Sequence, residues 1–465
     1  MPGTPEHPLR VAVVGAGPSG FYAIEHLLRQ DGLAVEIDLF DRLPTPYGLV
    51  RGGVAPDHQK IKSVVKAYER LASHPAVRFL GHVRVGTDVT PAELAAHYHA
   101  VVWAVGAQTD RALGIPGEGL AGSHAATEFV GWYNGHPDYR DLAFDLSQEA
   151  VAVIGIGNVA MDVTRILAKG ADALAATDIA PHALEALAAS RVREITVLAR
   201  RGPAQAACTT PELRELGELA EADVAAHADE VALDDATRAA LEAADDRTAL
   251  RNCEILQAYA GRAATGKRRR VTLRFLLSPA ALEGEGRVTG VRAVRNRLVA
   301  GEGGDVRAVA TDTHETIPAG LVFRSVGYRG VPLDGVPFDA KRGTIPNAAG
   351  RVLREAGSHE VLPGQYCVGW IKRGPSGVIG TNKPDAVETA ERLLDDLREG
   401  RLPAAEGGRA ALDALLAARG ADVVTWADWR RLDALEVAAG QPLGRPRVKF
   451  SRIDDMLGAV RAART

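Results

Sequence analysis

Two glycine-rich loops constrain the fold of this 465-residue chain more than any other feature. Residues 15–20 read GAGPSG and residues 155–160 read GIGNVA, and each loop lies between an apolar strand pattern and a helical pattern. In such a turn the first glycine allows a tight bend and the second lets the backbone approach a pyrophosphate. The third small residue lets the helix pack on the strand. One such loop is a weak signal, but two in this context predict an α/β chain with two Rossmann-like dinucleotide-binding domains.

The residues that end the next strand of each unit differ in charge. Asp41 ends the predicted strand at 35–41, 21 residues after Gly20, where a carboxylate accepts hydrogen bonds from a free ribose diol. An acid there repels a 2′-phosphate, so FAD and NAD fit and NADP does not. Arg200 and Arg201 follow the strand at 194–199, and two guanidiniums suit a 2′-phosphate through charge-assisted bonds. This reversal of charge assigns FAD to the first loop and NADP(H) to the second.

Two short apolar segments, residues 101–107 and 321–328, are typical of crossovers between domains. The simplest arrangement is a discontinuous FAD-binding domain, 1–107 plus 327–465, with an NADP-binding domain, 108–326, inserted into it. The patterns also predict helix at 171–190, 213–248 and 402–465, and a strand at 271–277. The stretch 213–248 is rich in Ala, Glu and Asp, so we expect a surface helix there.

Composition limits the class of protein. The chain is long enough for two to three domains, and 46% hydrophobic with 25% charged residues is typical of a globular protein. A net charge of −4, from 55 basic and 59 acidic residues, argues against a general nucleic-acid-binding surface. The three cysteines form no Cys-x-x-Cys pair, so we expect no redox disulfide and no iron–sulfur ligand set. With no signal peptide and no apolar run long enough for a bilayer, we expect a soluble, cytoplasmic protein without membrane insertion.

Several longer motifs resemble the adrenodoxin reductase family, which includes bacterial ferredoxin–NADP(+) reductases of the same type. They keep the family's order along the chain. The motifs are VAVVGAGPSG at 11–20, LPTPYGLVR at 43–51, GVAPDH at 53–58, RRGP at 200–203, TPELRE at 210–215 and GWIKRGPSGVIG at 369–380. Three positions depart from the family pattern: Asp41 replaces a usual Glu, Gln59 a frequent Pro, and Cys208 a usual aromatic residue.

The resemblance implies an FAD enzyme with a glutathione-reductase-like fold. Such an enzyme takes a hydride from NADPH and passes electrons singly to a ferredoxin, or runs in reverse. Because the chain lacks iron ligands, we expect the partner to be a separate, small, acidic iron–sulfur protein. Ferredoxins are usually acidic, so the basic run KRRR at 267–270 is a candidate docking patch.

The motifs and the resemblance together assign binding residues. For FAD these are Gly15, Ala16, Gly17, Gly20, Asp41, Leu49, Val83, Trp370, Gly377, Val378 and Ile379. For NADP they are Arg111, Gly155, Gly157, Asn158, Val159, Arg200, Arg201, Glu212 and Gly377. We expect no metal site.

Two residues carry the expected catalytic roles. By the resemblance, His58 is an active-site histidine, Glu215 approaches it, and Glu212 contacts the nicotinamide side of NADP. Glu212 and Glu215 are three residues apart and so share a helix face. Hydride transfer to a flavin needs no general base, so His58 and Glu215 should adjust the rate through positioning and proton movement. After residue 380 we expect a helix, capped by Asn382 with Pro384 in its first turn, whose positive end faces the flavin.

Three other functions stay open on the sequence. A thioredoxin-reductase-type flavin enzyme is disfavoured by the missing Cys-x-x-Cys pair. A glutamate-synthase small subunit is disfavoured by the missing N-terminal cluster cysteines. A non-catalytic FAD- and NADP-binding redox sensor is the alternative outside the enzymes.

Overall fold

Two β-sheets, the first mostly parallel and the second entirely parallel, form the framework of the protein, and each carries one of the glycine-rich loops. The structure, a computed structural model, describes residues 2–233, 235–301 and 306–464. Within these residues the first sheet has seven strands and the second has six, and a three-stranded antiparallel sheet packs beside the second. The predicted α/β fold with two dinucleotide-binding units is confirmed.

The first sheet is buried on both faces. Its strands are β1 (Leu9–Val14), β2 (Val35–Phe40), β3 (Val77–Leu80), β4 (Ala100–Trp103), β16 (Asn347–Ala348), β17 (Arg351–Leu353) and β18 (Val361–Cys367). They are ordered β16-β17-β18-β4-β1-β2-β3, and the five from β18 to β3 are parallel. Val11 and Val13 of β1 join one apolar cluster, whereas Ala12 and Val14 join another. Burial on both faces explains why β1 reads as a continuous apolar run.

Helices cover both faces of this sheet. They are α1 (Pro18–Leu28), α2 (Leu49–Gly52), α3 (Gln59–Lys62), α4 (Val65–Ala72), α5 (Pro91–His97), α14 (Trp370–Arg373), α15 (Asn382–Arg398), α16 (Arg409–Ala418), α17 (Trp426–Gly440) and α18 (Ile453–Arg464). α1 packs against α15, so the helix after the first glycine loop is held by the chain's C-terminal third.

The second sheet is parallel throughout. Its strands are β6 (Ser123–Ala125), β7 (Ala150–Ile154), β8 (Glu194–Leu198), β9 (Ala222–Ala226), β10 (Arg269–Arg274) and β14 (Leu321–Arg324), in the order β6-β14-β7-β8-β10-β9. The helices around it are α6 (Ala126–Tyr133), α7 (Asn158–Ala168), α8 (Ala171–Ala175), α9 (Pro181–Ala188), α10 (Thr210–Leu216), α11 (Ala228–Val231), α12 (Asp235–Ala243) and α13 (Arg247–Ala260). The antiparallel sheet consists of β11 (Leu277–Glu283), β12 (Gly290–Ala300) and β13 (Val306–Pro318).

The chain passes between the two sheets twice, and the two passages pair with each other. β5 (Thr109–Asp110), which follows β4, pairs antiparallel with β15 (Tyr328–Arg329), which follows β14. This strand order supports an NADP unit inserted into the FAD unit. We therefore propose that the domain boundaries lie between residues 107 and 108 and between residues 326 and 327.

The segment between α17 and α18 fastens the second unit to the first. Arg445 donates to the carbonyl oxygen of Thr177 at 3.0 Å. Lys449 Nζ lies 3.3 Å from Asp178 Oδ2, and Lys62 Nζ lies 2.7 Å from Asp178 Oδ1. Lys449, Asp178 and Lys62 are all buried. Lys62 belongs to the first unit and Asp178 to the second, so this triad is an ion-pair contact between the units.

Three predicted helical stretches differ from the structure. Residues 213–248 include β9, an edge strand whose residues Ala222, Val224 and Ala226 are buried alternately. The abundance of alanine concealed this two-residue period. Residues 171–190 form two helices, α8 and α9, because the chain turns at Thr177 and restarts at Pro181. The described part of residues 402–465 contains three α-helices, and a 3-10 helix at Gln441–Leu443 lies in the connection between the last two.

Candidate active site

The first glycine of each loop is required by a close backbone contact. Gly15 and Gly155 have φ angles of 112° and 123°. A Cβ atom would lie 2.4 Å from the carbonyl oxygen of Ala104 at Gly15, and 2.1 Å from that of Ser325 at Gly155. Only glycine fits both the conformation and the space, so the two loops have the same geometry.

The second glycine of each loop, Gly17 or Gly157, faces open space. A Cβ atom on either would meet nothing within 4 Å. Each glycine is the N-cap of the next helix, α1 or α7, and neither helix has a side-chain cap or an acidic residue in its first turn. Their first amide groups and positive ends are therefore available to an anion. Both loops fit the pyrophosphate of a dinucleotide.

Asp41 anchors the first loop through both carboxylate oxygens. Its Oδ2 accepts from the amide of Ala16 at 3.0 Å and its Oδ1 from the amide of Leu43 at 2.9 Å. Burial raises the pKa of Asp41, and these two hydrogen bonds oppose that rise. Each oxygen keeps a second lone pair, so the side chain still fits a ribose diol. Val83 is buried and donates to the Asp41 carbonyl oxygen at 2.9 Å, while the half-buried Leu49 begins α2.

Arg200 and Arg201 follow β8 at the carboxyl edge of the second sheet. Arg200 is exposed and Arg201 is half-buried. Within the described residues, neither guanidinium has an ion-pair or hydrogen-bond partner. Two unpaired guanidiniums beside a dinucleotide loop fit a 2′-phosphate.

Asn158 connects the second loop to the start of α10. Its Oδ1 accepts from the amide of Thr209 at 2.8 Å, and Val159 follows it in the first turn of α7. Buried Asn252 in α13 supports the same turn, because it donates to the carbonyl oxygen of Cys208 at 2.9 Å. The helix that carries Glu212 and Glu215 is therefore positioned relative to the loop.

His58 and Glu215 meet at the junction of the two units. His58 precedes α3 of the first unit and Glu215 lies in α10 of the second. His58 Nε2 is 2.9 Å from Glu215 Oε2, and His58 Nδ1 is 3.5 Å from Glu212 Oε1. The structure therefore brings together three residues that the sequence analysis singled out.

Arg165, in α7, is the central charged group of this site, and it is not among the residues predicted from the sequence. It is 1% exposed and donates from Nε to Asp57 Oδ2 and from Nη1 to Glu212 Oε2, both at 2.7 Å. It also bonds to Asp162, and its Nη2 lies 3.5 Å from His58 Nδ1. The only signal in the sequence is an Asp–Arg pair three residues apart on the helix that follows a dinucleotide loop.

The carboxylates around Arg165 have different proton affinities. Burial, together with the nearby charge of Asp162, raises the pKa of Glu212 to about 6. Burial acts in the same direction on Asp57, but Arg165 and Lys169 outweigh it and hold the pKa of Asp57 below its usual range. Asp57 thus stays ionised while Glu212 titrates near neutral pH, a separation common at functional sites.

The same cluster is the one set of possible metal ligands found in the described part of the chain. One ligand atom from each of His58, Glu212 and Glu215 lies within 4.8 Å of the others. Arg165 already donates to Glu212, so a positive charge occupies this position. The arrangement is that of an ion-pair network.

Trp370 and Gly377 border an open surface of the first unit. The Trp370 ring lies 5.2 Å from that of Tyr328, and its Nε1 donates to the Ser376 carbonyl oxygen at 3.2 Å. Gly377 has a φ of 80°, and a Cβ atom there would lie 2.3 Å from Thr381 Oγ1. Val378 is 49% exposed, an unusual exposure for an apolar side chain. An aromatic wall and exposed small or apolar residues fit a flat ring system.

The helix after this loop is present, but its predicted cap is wrong. α15 begins at Asn382, its N-cap is Thr381, and it has no side-chain cap. The Asn382 amide instead donates to the carbonyl oxygen of Ile379 at 3.1 Å, which stabilises the preceding turn. Pro384 lies in the first turn as predicted.

Arg111 and the run 267–270 are the two remaining basic contacts predicted from the sequence, and the Arg111 amide donates to the carbonyl oxygen of Gly327 at 3.0 Å. Arg111 is exposed in the connection after β5. Residues 267–270 lead into β10 at the amino edge of the second sheet, opposite the carboxyl edge that carries the second loop. Arg269 is buried and pairs with Glu221 at 2.9 Å. Arg269 is therefore not accessible to a partner, whereas Lys267, Arg268 and Arg270 are exposed, and the docking role of this run stays a prediction.

The cysteines are unsuited to thiol chemistry. Cys208, Cys253 and Cys367 are buried and free. Burial raises the pKa of Cys208 to about 12 and that of Cys253 to about 11. Since the thiolate is the reactive form, neither side chain fits a disulfide reductase.

The fold and site together define a protein that holds two dinucleotides, with a charged cluster where the two units meet. The family model for pyridine nucleotide-disulphide oxidoreductases matches residues 9–248. NADPH-ferredoxin reductase FprA of Mycobacterium tuberculosis (strain ATCC 25618 / H37Rv) is 47% identical over 462 residues, covering 97% of this chain and 98% of the relative. The mitochondrial NADPH:adrenodoxin oxidoreductase of Salvelinus fontinalis is 42% identical over 473 residues, covering 99% and 92%.

A solved structure agrees over the whole chain. The structure of Mycobacterium tuberculosis FprA in complex with NADPH has a TM-score of 0.91 and 46% identity, covering 98% of this chain and 100% of that one. The chain belongs to the pyridine nucleotide-disulphide oxidoreductase family and, within it, to the adrenodoxin reductase type. The prediction of an oxidoreductase of this type is confirmed. Among the described residues, no helix has both the length and the apolar character needed to span a membrane.

Proposed function

We propose that this protein is an FAD-dependent ferredoxin–NADP(+) reductase, which moves electrons between NADPH and a separate ferredoxin. The observation that carries the proposal is the His58–Glu215 pair at 2.9 Å, which joins the FAD-type unit to the NADP-type unit. Relatives named as NADPH-ferredoxin and NADPH:adrenodoxin reductases, similar along almost the whole chain, support the same reaction.

The two loops hold the two dinucleotides. Gly15, Ala16, Gly17 and Gly20 leave the amino end of α1 to the FAD pyrophosphate, and Asp41 faces the ribose. Leu49 and Val83 line the flavin side. In the second unit, Gly155, Gly157, Asn158 and Val159 leave the amino end of α7 to the NADP pyrophosphate. Arg200 and Arg201 bind the 2′-phosphate, and Arg111 is a further phosphate contact.

Trp370 would border both the flavin and the nicotinamide rings. When bound, FAD accepts a hydride from NADPH and releases its electrons one at a time. Gly377, Val378 and Ile379 would line the space for the rings, and the positive end of α15 would favour negative charge on the flavin. Glu212 faces the nicotinamide.

His58 and Glu215 control the geometry and protons at the nicotinamide. The Nε2–Oε2 contact fixes the imidazole, and Arg165 holds Glu212 and the loop before His58 in place. Neither His58 nor Glu215 has to remove a proton for hydride transfer, so both act on the rate.

The electron acceptor in this proposal is a small, acidic iron–sulfur protein. The supporting relatives carry ferredoxin or adrenodoxin in their names. We place the reaction in the cytoplasm, because three buried, unpaired cysteines suit a reducing compartment.

The test starts from the purified protein. We expect a yellow protein that releases FAD, and not FMN, on denaturation, and whose flavin is bleached by NADPH. Cytochrome c reduction should then depend on added ferredoxin, with ferricyanide as the direct acceptor control. A protein that binds FAD and NADPH without turnover on either acceptor would be a redox sensor. A protein that takes up no FAD would contradict the proposal altogether.

A further inference from the structure

A buried asparagine of the antiparallel sheet holds the loop that carries Arg200 and Arg201. Asn296 lies in β12, and its Nδ2 donates to the carbonyl oxygen of Arg200 at 2.8 Å. The same amide donates to Ser278 Oγ at 2.8 Å. Asn296 is 5% exposed, so water has little access to replace its hydrogen bonds.

The next carbonyl of the loop is held by the same part of the sheet. The Arg201 carbonyl oxygen accepts from the amide of Leu276 at 3.1 Å, and the Leu276 carbonyl oxygen accepts from the amide of Asn296 at 2.7 Å. Leu276 has a φ of 59°, in the left-handed region that leucine rarely adopts. Two successive peptide groups of the arginine loop are thus tied to β12 and to the turn that leads into β11.

A β-bulge directs Asn296 toward this loop. The register between β12 and β13 shifts between Val294 and Asn296. Bulges change the direction of a side chain relative to the regular alternation of a strand. Asn296 is buried next to the arginine loop, whereas Arg297 is exposed. Asn296 thereby joins β12 to the arginine loop, beside the backbone bond from the Leu277 amide of β11 to the Ala199 carbonyl oxygen at 3.0 Å.

We infer that Asn296 is a positioning residue for coenzyme selectivity, because it orients Arg200 and Arg201 toward the 2′-phosphate of NADP(H). The inference rests on the proposed function, in which these arginines bind that phosphate. Neither guanidinium has a protein partner in the described residues. The position of the backbone is therefore what directs the two side chains. A loosened backbone lowers the affinity only for ligands that carry the 2′-phosphate, because binding of that phosphate then includes the cost of ordering the loop.

The test is Asn296→Leu, which removes the donor at similar volume. We expect the KM for NADPH and the Kd for 2′,5′-ADP, measured by calorimetry, to rise roughly three- to tenfold, as for the loss of one hydrogen bond. The KM for NADH, the kcat at saturating NADPH and the FAD content should not change. Ser278→Ala removes the other partner of the same amide and is the matched control, with unchanged constants for both coenzymes. If Asn296→Leu does not fold, Asn296→Ala replaces it with the same expected direction.

A combined variant separates the possible outcomes. In an Arg200→Gln/Arg201→Gln background, Asn296→Leu should not raise the Kd for 2′,5′-ADP any further. The reason is that Asn296 acts on this ligand only by positioning the two guanidiniums. An additional loss in that background, or an equal loss for NADPH and NADH, would overturn the inference. The inference would also be overturned if Asn296→Leu left the Kd for 2′,5′-ADP unchanged while the arginine variant bound 2′,5′-ADP weakly. If the arginine variant itself binds 2′,5′-ADP as the wild type does, the proposed NADP site is wrong.

Discussion

The guanidinium of Arg165 donates to the carboxylate of Asp57 at 2.7 Å, and Asp57 immediately precedes His58. The bond runs from a helix of the NADP unit to a loop of the FAD unit. Because the same guanidinium bonds to Glu212, one buried side chain fixes the groups on both sides of the proposed hydride path.

Replacement of Arg165 should destabilise the protein strongly. Arg165→Met leaves Asp57, Asp162 and Glu212 buried without their main partner, so we expect the free energy of unfolding to fall by about 3–5 kcal/mol. Urea unfolding measures this loss. Lys169→Met is the control, because Lys169 bonds to the same Asp57 but is partly exposed, and its effect should be clearly smaller. Equal stability of Arg165→Met and the wild type would contradict the central role of Arg165.

The contact between His58 and Glu215 predicts a slower reaction when either residue is replaced. His58→Gln and Glu215→Gln should each slow flavin reduction by NADPH roughly ten- to a thousandfold, as for groups that position the nicotinamide and move protons. Stopped-flow absorbance measures the rate, and FAD content should stay at the wild-type level. In the double variant the rate of flavin reduction should fall by less than the product of the two single-variant factors, because the residues act as a pair. Unchanged rates in both single variants would assign the pair a structural role only.

The raised pKa of Glu212 predicts a pH-dependent preference for oxidised coenzyme. With a pKa of about 6, Glu212 is ionised at pH 8 and favours the positively charged ring of NADP+; at pH 5 this attraction is lost. We expect the ratio of the Kd for NADP+ to that for unreactive tetrahydro-NADPH to rise severalfold from pH 8 to pH 5. The 2′-phosphate also titrates near pH 6, but both ligands carry it, so the ratio cancels its contribution. Glu212→Gln should show a flat ratio, and a flat wild-type ratio would exclude Glu212 from the nicotinamide site.

The triad of Lys62, Asp178 and Lys449 predicts acid sensitivity. Burial alone would raise the pKa of Asp178, but the two ammonium groups lower it to about 2. This folded-state pKa lies below that of an unfolded Asp, about 3.9. The stability from ionised Asp178, about 2 kcal/mol, is therefore present above pH 4 and lost as the pH falls toward 2.

Urea unfolding between pH 7 and pH 3 tests this contribution. Asp178→Asn should be less stable at pH 7 and should lack this part of the acid dependence. Asp413→Asn is the control, because Asp413 is exposed and pairs with Arg78 at the surface. If Asp178→Asn and the wild type lose stability in parallel as the pH falls, the pKa of Asp178 is not lowered by the triad.

Short-range patterns were enough to predict the fold class and both dinucleotide loops. Each loop lies between a strand pattern and a helix pattern, so neighbouring residues were enough to predict it, although the carbonyl groups that crowd Gly15 and Gly155 come from distant segments. Asp41 and Arg200 have opposite charges, and each follows its loop by a short predicted unit, so this difference could also be recognised from the sequence. His58 and Glu215 were predicted as a pair because the motifs that contain them resemble those of a known family.

The sequence by itself therefore determined the class of protein, the two dinucleotide loops and the residues expected to line them. Only the tertiary structure decided which charged groups hold these residues in place. Arg165, Asn296 and Lys449 look like ordinary polar residues in the sequence, because their partners come from distant parts of the chain. A buried charge or amide is stable only where folding supplies a partner in the right position, and no local pattern records that position.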